Sequence, residues 1–253
     1  MKPTVSVIIP VRNQLAFTRQ CLAAIRTYTP LPHEVIFVDN DSTDGTTSFL
    51  RKRVKQEVGS TWIRNPVNRG FAAAVNQGMK KAQGEYFLLL NNDTLVSSRW
   101  MELLLAVLRS DVSIGMTGPV SNKAIPEQKV SVRLSRIPSI HRYSQFHNRH
   151  NPGLWRETRR LSGFCLAIPR RIWEEVGEWD ERFGLGTYED DDYSYRVRKA
   201  GYRLIVAGDT YVHHFGSRSF RRRGRAEFLK ILAQNRHYFL RKWDLPEPPG
   251  GLL

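Results

Sequence analysis

Cysteine is scarce: of 253 residues only Cys21 and Cys165 are cysteines, and both sit in apolar local patterns that read as core. A disulfide-stapled fold is excluded, and a reduced, cytoplasmic setting is expected. Long apolar runs are missing as well. The best, Val5–Pro10 and Tyr86–Leu90, fall far short of the roughly 18 residues needed to cross a bilayer. The residues before Val5 offer no basic start, apolar stretch and small-residue cleavage site in that order, so no secretory leader is expected. Acid is in short supply, with 24 Asp+Glu against 39 Lys+Arg and a net charge of +15, which points to anionic partners. Several catalytic signatures are absent too: Cys-x-x-Cys, His-Glu-x-x-His, Gly-x-Ser-x-Gly and a Walker-type Gly-Lys-Ser/Thr. Zinc hydrolases, serine hydrolases and P-loop ATPases fall away with them.

What is present is ordinary globular material, 41% hydrophobic and 25% charged, in a chain long enough to bury a sizeable core. The first 120 residues alternate apolar strands with amphipathic helices, the signature of βα units on a largely parallel sheet. Strands are expected at Thr4–Ile9, Glu34–Val38, Thr61–Arg64, Tyr86–Leu90 and Ser113–Thr117. Leu15, Cys21, Leu22 and Ile25 form one helical stripe; Phe71, Ala74, Val75, Gly78, Met79 and Ala82 form another. Residues 121–160 lose that periodicity and carry Pro126, Pro138 and Pro152, which reads as an extended connection or lid. From Lys129 to Arg171 ten Lys/Arg face Glu157 as the single acid. Regular structure is expected to resume with a strand at Leu161–Ile168, a short helix at Arg170–Gly177, a helix from near Asp190 and strands near Arg203–Val206 and Thr210–His213. A basic helix, Arg225–Trp243, precedes a Pro/Gly tail. The expected organisation is one domain over residues 1–220, in two halves 1–120 and 121–220, with 221–253 as a basic C-terminal helix and tail.

In an open parallel sheet, ligands bind beyond the carboxyl ends of the strands. Polar turns stand at three such ends: Pro10-Val11-Arg12-Asn13, Asp39-Asn40-Asp41-Ser42-Thr43-Asp44-Gly45 and Asn91-Asn92-Asp93-Thr94. Each alone is common turn and cap chemistry; together they mark one rim. Asp93 is delivered where a nucleoside diphosphate would lie, and a hard cation such as Mg²⁺ or Mn²⁺ takes one or two protein carboxylates besides phosphate and water. Glu189-Asp190-Asp191-Asp192 places four carboxylates side by side. No helix N-terminus needs so many, and their mutual repulsion raises some pKa values, as a general base requires. His213-His214 ends a strand, where a histidine close to Asp93 is a candidate metal ligand. Arg218, Arg221-Arg222-Arg223 and Arg225 form a basic loop suited to gripping a diphosphate.

This ordered set resembles the family 2 glycosyltransferases of the GT-A fold, inverting enzymes that use nucleotide-sugar donors. The matching runs are Val5-Ser6-Val7-Ile8-Ile9-Pro10, Val35–Thr46, Asn68–Gly78, Leu90–Asp93, Ser162–Cys165, Phe183, Glu189–Asp192 and His213. The resemblance implies an α/β GT-A fold, a Rossmann-like nucleotide-binding mixed sheet flanked by helices, with 1–120 as its nucleotide-binding half and 121–220 as its acceptor and catalytic half. It places Pro10, Val11 and Asn13 against the nucleoside, Asp39 on the base, Asp41 and Arg69 in the same pocket, and Asn92 near the ribose or sugar. Asp93 matches the last Asp of the metal motif Asp-x-Asp, and His213 matches a histidine that completes the metal site. Asp190 matches the catalytic base, with Gly163, Glu189 and Asp192 on the acceptor side. The family commonly has Asp where this chain has Asn91, a change that removes one carboxylate from the metal site.

The function implied is transfer of a sugar from a nucleoside diphosphate sugar to an acceptor hydroxyl in surface glycan or glycoconjugate synthesis, assisted by Mg²⁺ or Mn²⁺. UDP is the first expected base, with dTDP and GDP as alternatives. The acceptor is expected to be a glycan, lipid-linked or protein group, anionic if the basic segment meets it, with Tyr143, Phe146 and Trp155 as sugar-stacking candidates. Contact with the inner face of a membrane would be peripheral and driven by charge, and no nucleic acid is expected. Two other readings share features. A nucleic-acid-binding module would use the basic surface yet has no need of carboxylates on the sheet rim. A sugar-phosphate nucleotidyltransferase shares the architecture but would release pyrophosphate.

Overall fold

The computed structural model describes residues 4–56, 59–216 and 224–246. The Val- and Ile-rich run that opens the chain forms β1 (Val5–Val11), followed by α1 (Leu15–Tyr28), β2 (His33–Asn40), α2 (Thr46–Val54), β3 (Ser60–Asn65), α3 (Phe71–Lys81) and β4 (Tyr86–Leu90). Helix α1 buries Cys21, Leu22 and Ile25 of the expected stripe, together with Thr18 and Ala24, while Leu15 stays partly exposed. Helix α3 lies close against β1. A Cβ added at Gly78 would stand 2.4 Å from Ile8 Cγ2, so only glycine lets the helix settle onto the strand.

Beyond β4 come β5 (Thr94–Leu95), α4 (Trp100–Ser110), β6 (Ile114–Val120), α5 (Ile137–His147), β7 (Trp155–Thr158), β8 (Cys165–Pro169), α6 (Arg170–Val176), α7 (Glu189–Lys199), β9 (Arg203–Tyr211), β10 (His213–His214) and α8 (Arg225–Lys242). Eight strands form one sheet in the order β3-β2-β1-β4-β8-β6-β9-β7, and β10 pairs with β5 in a separate ribbon. The sheet is mixed, with β8 antiparallel to β4 and β6, and β7 antiparallel to β9. It runs without a break across both of the halves expected from sequence.

Two expectations need correction. Residues 121–160 are not a structureless lid: they hold a 3₁₀ turn at Pro126–Gln128, the helix α5 and the edge strand β7. Pro138 sits in the first turn of α5, where its missing N–H costs nothing, so it starts a helix where the sequence reading took it for a breaker. The two short strands expected at 203–206 and 210–213 are instead one strand, β9, with the separate two-residue β10 after it.

Topology fixes the functional edge. The carboxyl ends of β1, β2 and β4 share one rim because those strands are parallel neighbours. Antiparallel β8 starts at that same rim, with Cys165 opposite Leu90, so Ser162–Phe164 meets Asn91–Asp93. The amide of Asn91 donates to the Phe164 carbonyl at 2.9 Å. Strand β10 then lies along β5, placing His214 opposite Thr94.

Candidate active site

A cleft of about 340 Å³ opens on this rim, the scale of a nucleotide-sized site. One wall is the end of β1, Pro10, Val11 and Arg12, with Asn40 beside it; the floor is Asn91, Asn92 and Asp93 with Ser162, Gly163 and Phe164. Leu185, Gly186, Thr187, Glu189 and Asp190 form the facing wall, and His214 and Phe228 close the ends.

Side-chain hydrogen bonds hold together the loops that follow β1, β2 and β4. Asn13 accepts from the Thr43 amide through Oδ1, its own amide donates to Ser42 Oγ, and its carbonyl accepts from Asn92 Nδ2. Asp39 is fully buried. Its carboxylate accepts from the Ser42 amide and from Thr47 Oγ1, so it shapes its own turn rather than facing the cleft. Asp41, at φ 68°, and Arg69 also lie off the cleft lining. Arg69 reaches outward to Glu181 at 3.4 Å, while its amide donates to Asn40 Oδ1. Asn40, part of a quoted motif but not among the candidate site residues, in turn donates to the Gly70 carbonyl. At Gly70, with φ 87°, an added Cβ would stand inside the Gly184 carbonyl. The loop before α3 and the facing wall therefore touch through two glycines.

On the floor, Asp93 and His214 converge. His214 Nδ1 lies 2.8 Å from the Lys123 carbonyl oxygen, which can only accept, so Nδ1 carries the ring proton. Phe164 stacks on the ring at 5.2 Å and 11°. Nε2, the ring nitrogen left to meet the carboxylate, is buried, makes no hydrogen bond among the described residues and lies 3.2 Å from Asp93 Oδ1. Two electron-pair donors aimed at each other in a buried place suit a hard divalent cation, and the backbone carbonyl on Nδ1 is the usual outer partner of a metal-bound histidine. Among the described residues no group of three or more His, Cys, Asp or Glu gathers to hold a metal, so phosphate oxygens and water would complete the shell.

The histidine expected at the metal was His213, and the structure puts it elsewhere. Neighbouring residues of a strand point to opposite faces. With His214 turned to Asp93, His213 turns away to Tyr211 Oη at 2.9 Å and lines a separate groove with Phe17, Lys123 and Phe215. Burial, with His214 and Lys123 nearby, lowers its pKa to about 4.

The acidic run divides in the same manner. Asp190 lines the cleft, its Oδ2 accepting from the Gly163 amide at 2.8 Å and its Oδ1 from the Asp191 amide at 3.0 Å. Burial raises its pKa, while those amides and Arg160 oppose the rise. Glu189 is raised well above its ordinary value, by burial and then by Asp190, and its buried Oε2 has no hydrogen-bond partner among the described residues. Asp191 reaches about 7 through burial and Asp190, despite Arg160. Of the three, Asp190 has backbone N–H groups on both oxygens, which favour its charged form. Asp192, expected on the acceptor side, points into the protein and binds Arg196, Lys242 and Trp243 Nε1; successive helix positions turn by about 100°, which carries it off the cleft face.

The aromatic candidates do not reach the cleft. Tyr143 packs edge-on against Tyr211, Trp155 donates to Asp209, and Phe146 is exposed beside Arg149. None of the ten cations between Lys129 and Arg171 lines the cleft; they are dispersed, Arg170 holding the carbonyls of Ala82 and Gly84. Most of the basic loop, residues 217–223, lies outside the described residues. Among the described residues no helix is long and apolar enough to cross a membrane.

The family model described as "Glycosyl transferase family 2" matches residues 6–177. The chain is 26% identical over 245 residues to the O-antigen biosynthesis protein RfbC of Myxococcus xanthus, covering 87% of this chain and 18% of that protein. It is 26% identical over 214 residues to the glycosyltransferase AglE of Haloferax volcanii, covering 84% of this chain and 67% of AglE. A mannosyltransferase structure from Pyrobaculum calidifontis, PcManGT in complex with GDP-Man and Mn²⁺, superposes with a TM-score of 0.70 over 98% of this chain and 67% of that one, at 23% identity. The shared architecture is the GT-A fold.

Proposed function

This chain belongs to glycosyl transferase family 2, and on that footing we propose that its cleft transfers a sugar, with inversion, from a nucleoside diphosphate sugar to an acceptor hydroxyl in glycan or glycoconjugate synthesis. The observation that carries the reading is a cleft holding two kinds of group at once: Asp190, whose charge rests on two backbone amides, and the converging Asp93 and His214. The nucleoside lies against Pro10, Val11 and Asn40, its loops braced by Asn13 and Asp39, with Asp41 and Arg69 at the rim and Asn92 toward the ribose or sugar. Asp93 and His214 would hold Mg²⁺ or Mn²⁺, which when bound offsets charge on the diphosphate. Having Asn91 in place of a third ligand leaves that hold light.

Asp190 accepts the proton of the acceptor hydroxyl as the hydroxyl oxygen bonds to the anomeric carbon. The bond from that carbon to the diphosphate oxygen breaks, and the nucleoside diphosphate leaves on the opposite side. Gly163 and the Asp191 amide keep the carboxylate aimed and anionic. Burial beside Asp190 raises the Glu189 pKa, which disfavours a second negative charge there. Positioned proton transfer of this kind contributes ~10²–10⁴ in rate.

The test is a thermal-shift panel of UDP, dTDP, GDP and their sugars, with and without Mn²⁺, UDP-sugars first. A ligand at ~100 Kd adds about 2.7 kcal/mol to stability, a rise of several degrees for a chain of this size. A metal-enhanced shift with one nucleotide identifies the donor class; no shift with any of them overturns the donor site. Pyrophosphate released in place of nucleoside diphosphate would identify nucleotidyl transfer.

A further inference from the structure

The wall that carries Asp190 begins in a turn of costly backbone. Gly184, Gly186, Thr187 and Tyr188 all have positive φ, at 61°, 133°, 77° and 66°. Glycine adopts such angles freely, but a β-branched residue there is a genuine outlier. Strain of this kind persists only where surrounding structure over-determines it.

Here the surrounding structure is α8. Asn235, buried midway along the helix, directs Nδ2 at the carbonyl oxygens of Phe183 and Gly186, each at 2.8 Å, and of Thr187 at 3.1 Å, with Thr187 Oγ1 at 3.2 Å. One amide group thus grips the turn along its length, its two hydrogens shared among the acceptors. The C-terminal end of the helix fastens both flanks. Lys242 Nζ bridges Asp180, before the turn, at 2.7 Å and Asp192, after it, at 2.6 Å. Trp243 Nε1 donates to Asp192 at 2.8 Å. Both the turn and the helix lie beyond residues 6–177, the span matched to the family.

We infer that Asn235 is a positioning residue: it holds the 184–188 turn in the strained shape that sets Asp190 in the cleft, making the C-terminal helix a working part of the active site. The inference rests on the reading of Asp190 as the base. It assigns the helix a task that the basic character of its sequence does not disclose.

The experiment uses the full chain with Asn235→Ala, Asn235→Asp and the double change Asn235→Ala with Thr187→Gly. Three quantities are read: nucleotide Kd, the kcat of nucleoside diphosphate release from the donor that binds, and amide hydrogen exchange over residues 183–190. Asn235→Ala lowers kcat roughly 5- to 100-fold, the factor that backbone strain of this class represents, with nucleotide Kd held within about twofold. Exchange accelerates over 183–190 and stays as in wild type over β1 to β4. Glycine at 187 takes positive φ without a Cβ penalty, so the double variant regains most of the lost kcat. Asn235→Asp keeps the shape but turns a donor into an acceptor among oxygens, and it reproduces the fall in kcat without opening a void, which covers the case where the alanine variant does not fold.

Unchanged kcat in Asn235→Asp, or a loss that Thr187→Gly leaves in full while exchange over 183–190 stays at the wild-type rate, overturns the inference and leaves Asn235 a structural anchor. Wild-type protein that releases nucleoside diphosphate from no donor sinks the reading of function instead; hydrogen exchange then still decides whether Asn235 holds the turn.

Discussion

Asp190→Asn removes the proposed base and, with it, one acceptor, since the Asp191 N–H that donates to Oδ1 then faces an amide NH2. The amide keeps an oxygen for the Gly163 N–H, now 2.8 Å from Oδ2, and the side-chain volume is unchanged. Losing positioned proton transfer should cost ~10²–10⁴ in turnover, equivalent to about 2.7–5.4 kcal/mol of barrier. Donor affinity should stay within about twofold, because the group acts in the transition state rather than in binding. Donor hydrolysis needs no identified acceptor, so nucleoside diphosphate release into water provides the assay, with calorimetric titration of the nucleotide beside it. The same variant carries an independent signature in stability. Asp191 is raised from 3.8 to about 7 by burial first and by Asp190 second, and Glu189 is raised by the same two causes. In that window the native state keeps protons that the unfolded chain has released, so wild-type stability falls as pH rises from about 4 toward 7. The Asp190→Asn substitution removes one cause of the rise and shrinks that fall. The difference in Tm, variant minus wild type, should therefore grow more positive from about pH 4 to about pH 8. Near wild-type turnover would refute the base assignment. A difference in Tm that is flat or shrinks with pH would refute the electrostatic account of the acidic run.

Two further outcomes follow from particular contacts. His214→Ala should abolish the part of nucleotide affinity that depends on Mn²⁺, a loss of about 10- to 100-fold if an outer partner's typical weight is the lower bound, whereas His213→Ala should leave the metal dependence as in wild type; titration with and without chelator decides between the two histidines. Gly78→Ala drives a Cβ to 2.4 Å from Ile8 Cγ2, an overpacking that typically costs about 1–3 kcal/mol. Urea unfolding should show that loss with nucleotide binding preserved, since neither Gly78 nor Ile8 lines the cleft.

The sequence by itself determined the layers and the rim. The period of α1 and α3, the apolar strands β1 and β4 and the polar turns that follow them are local properties, because a side chain's face in a helix or strand follows from its spacing to its neighbours. Asp93, Asn92, Pro10, Val11, Gly163, Glu189 and Asp190 could all be placed at one cleft on that basis and on the family resemblance, and all of them line it. What local pattern left open was direction and distance. Whether His213 or His214 meets Asp93 is decided by the register of β10 on β5, a pairing between segments far apart in the chain. The helical turn carries Asp192 off the cleft face, but that Lys242 and Trp243 receive it there is set by packing. Asn235 looks like one polar residue in a basic helix until folding sets it against the carbonyls of 183, 186 and 187. Those contacts depend on where the end of the chain packs back, and only the tertiary structure decides that.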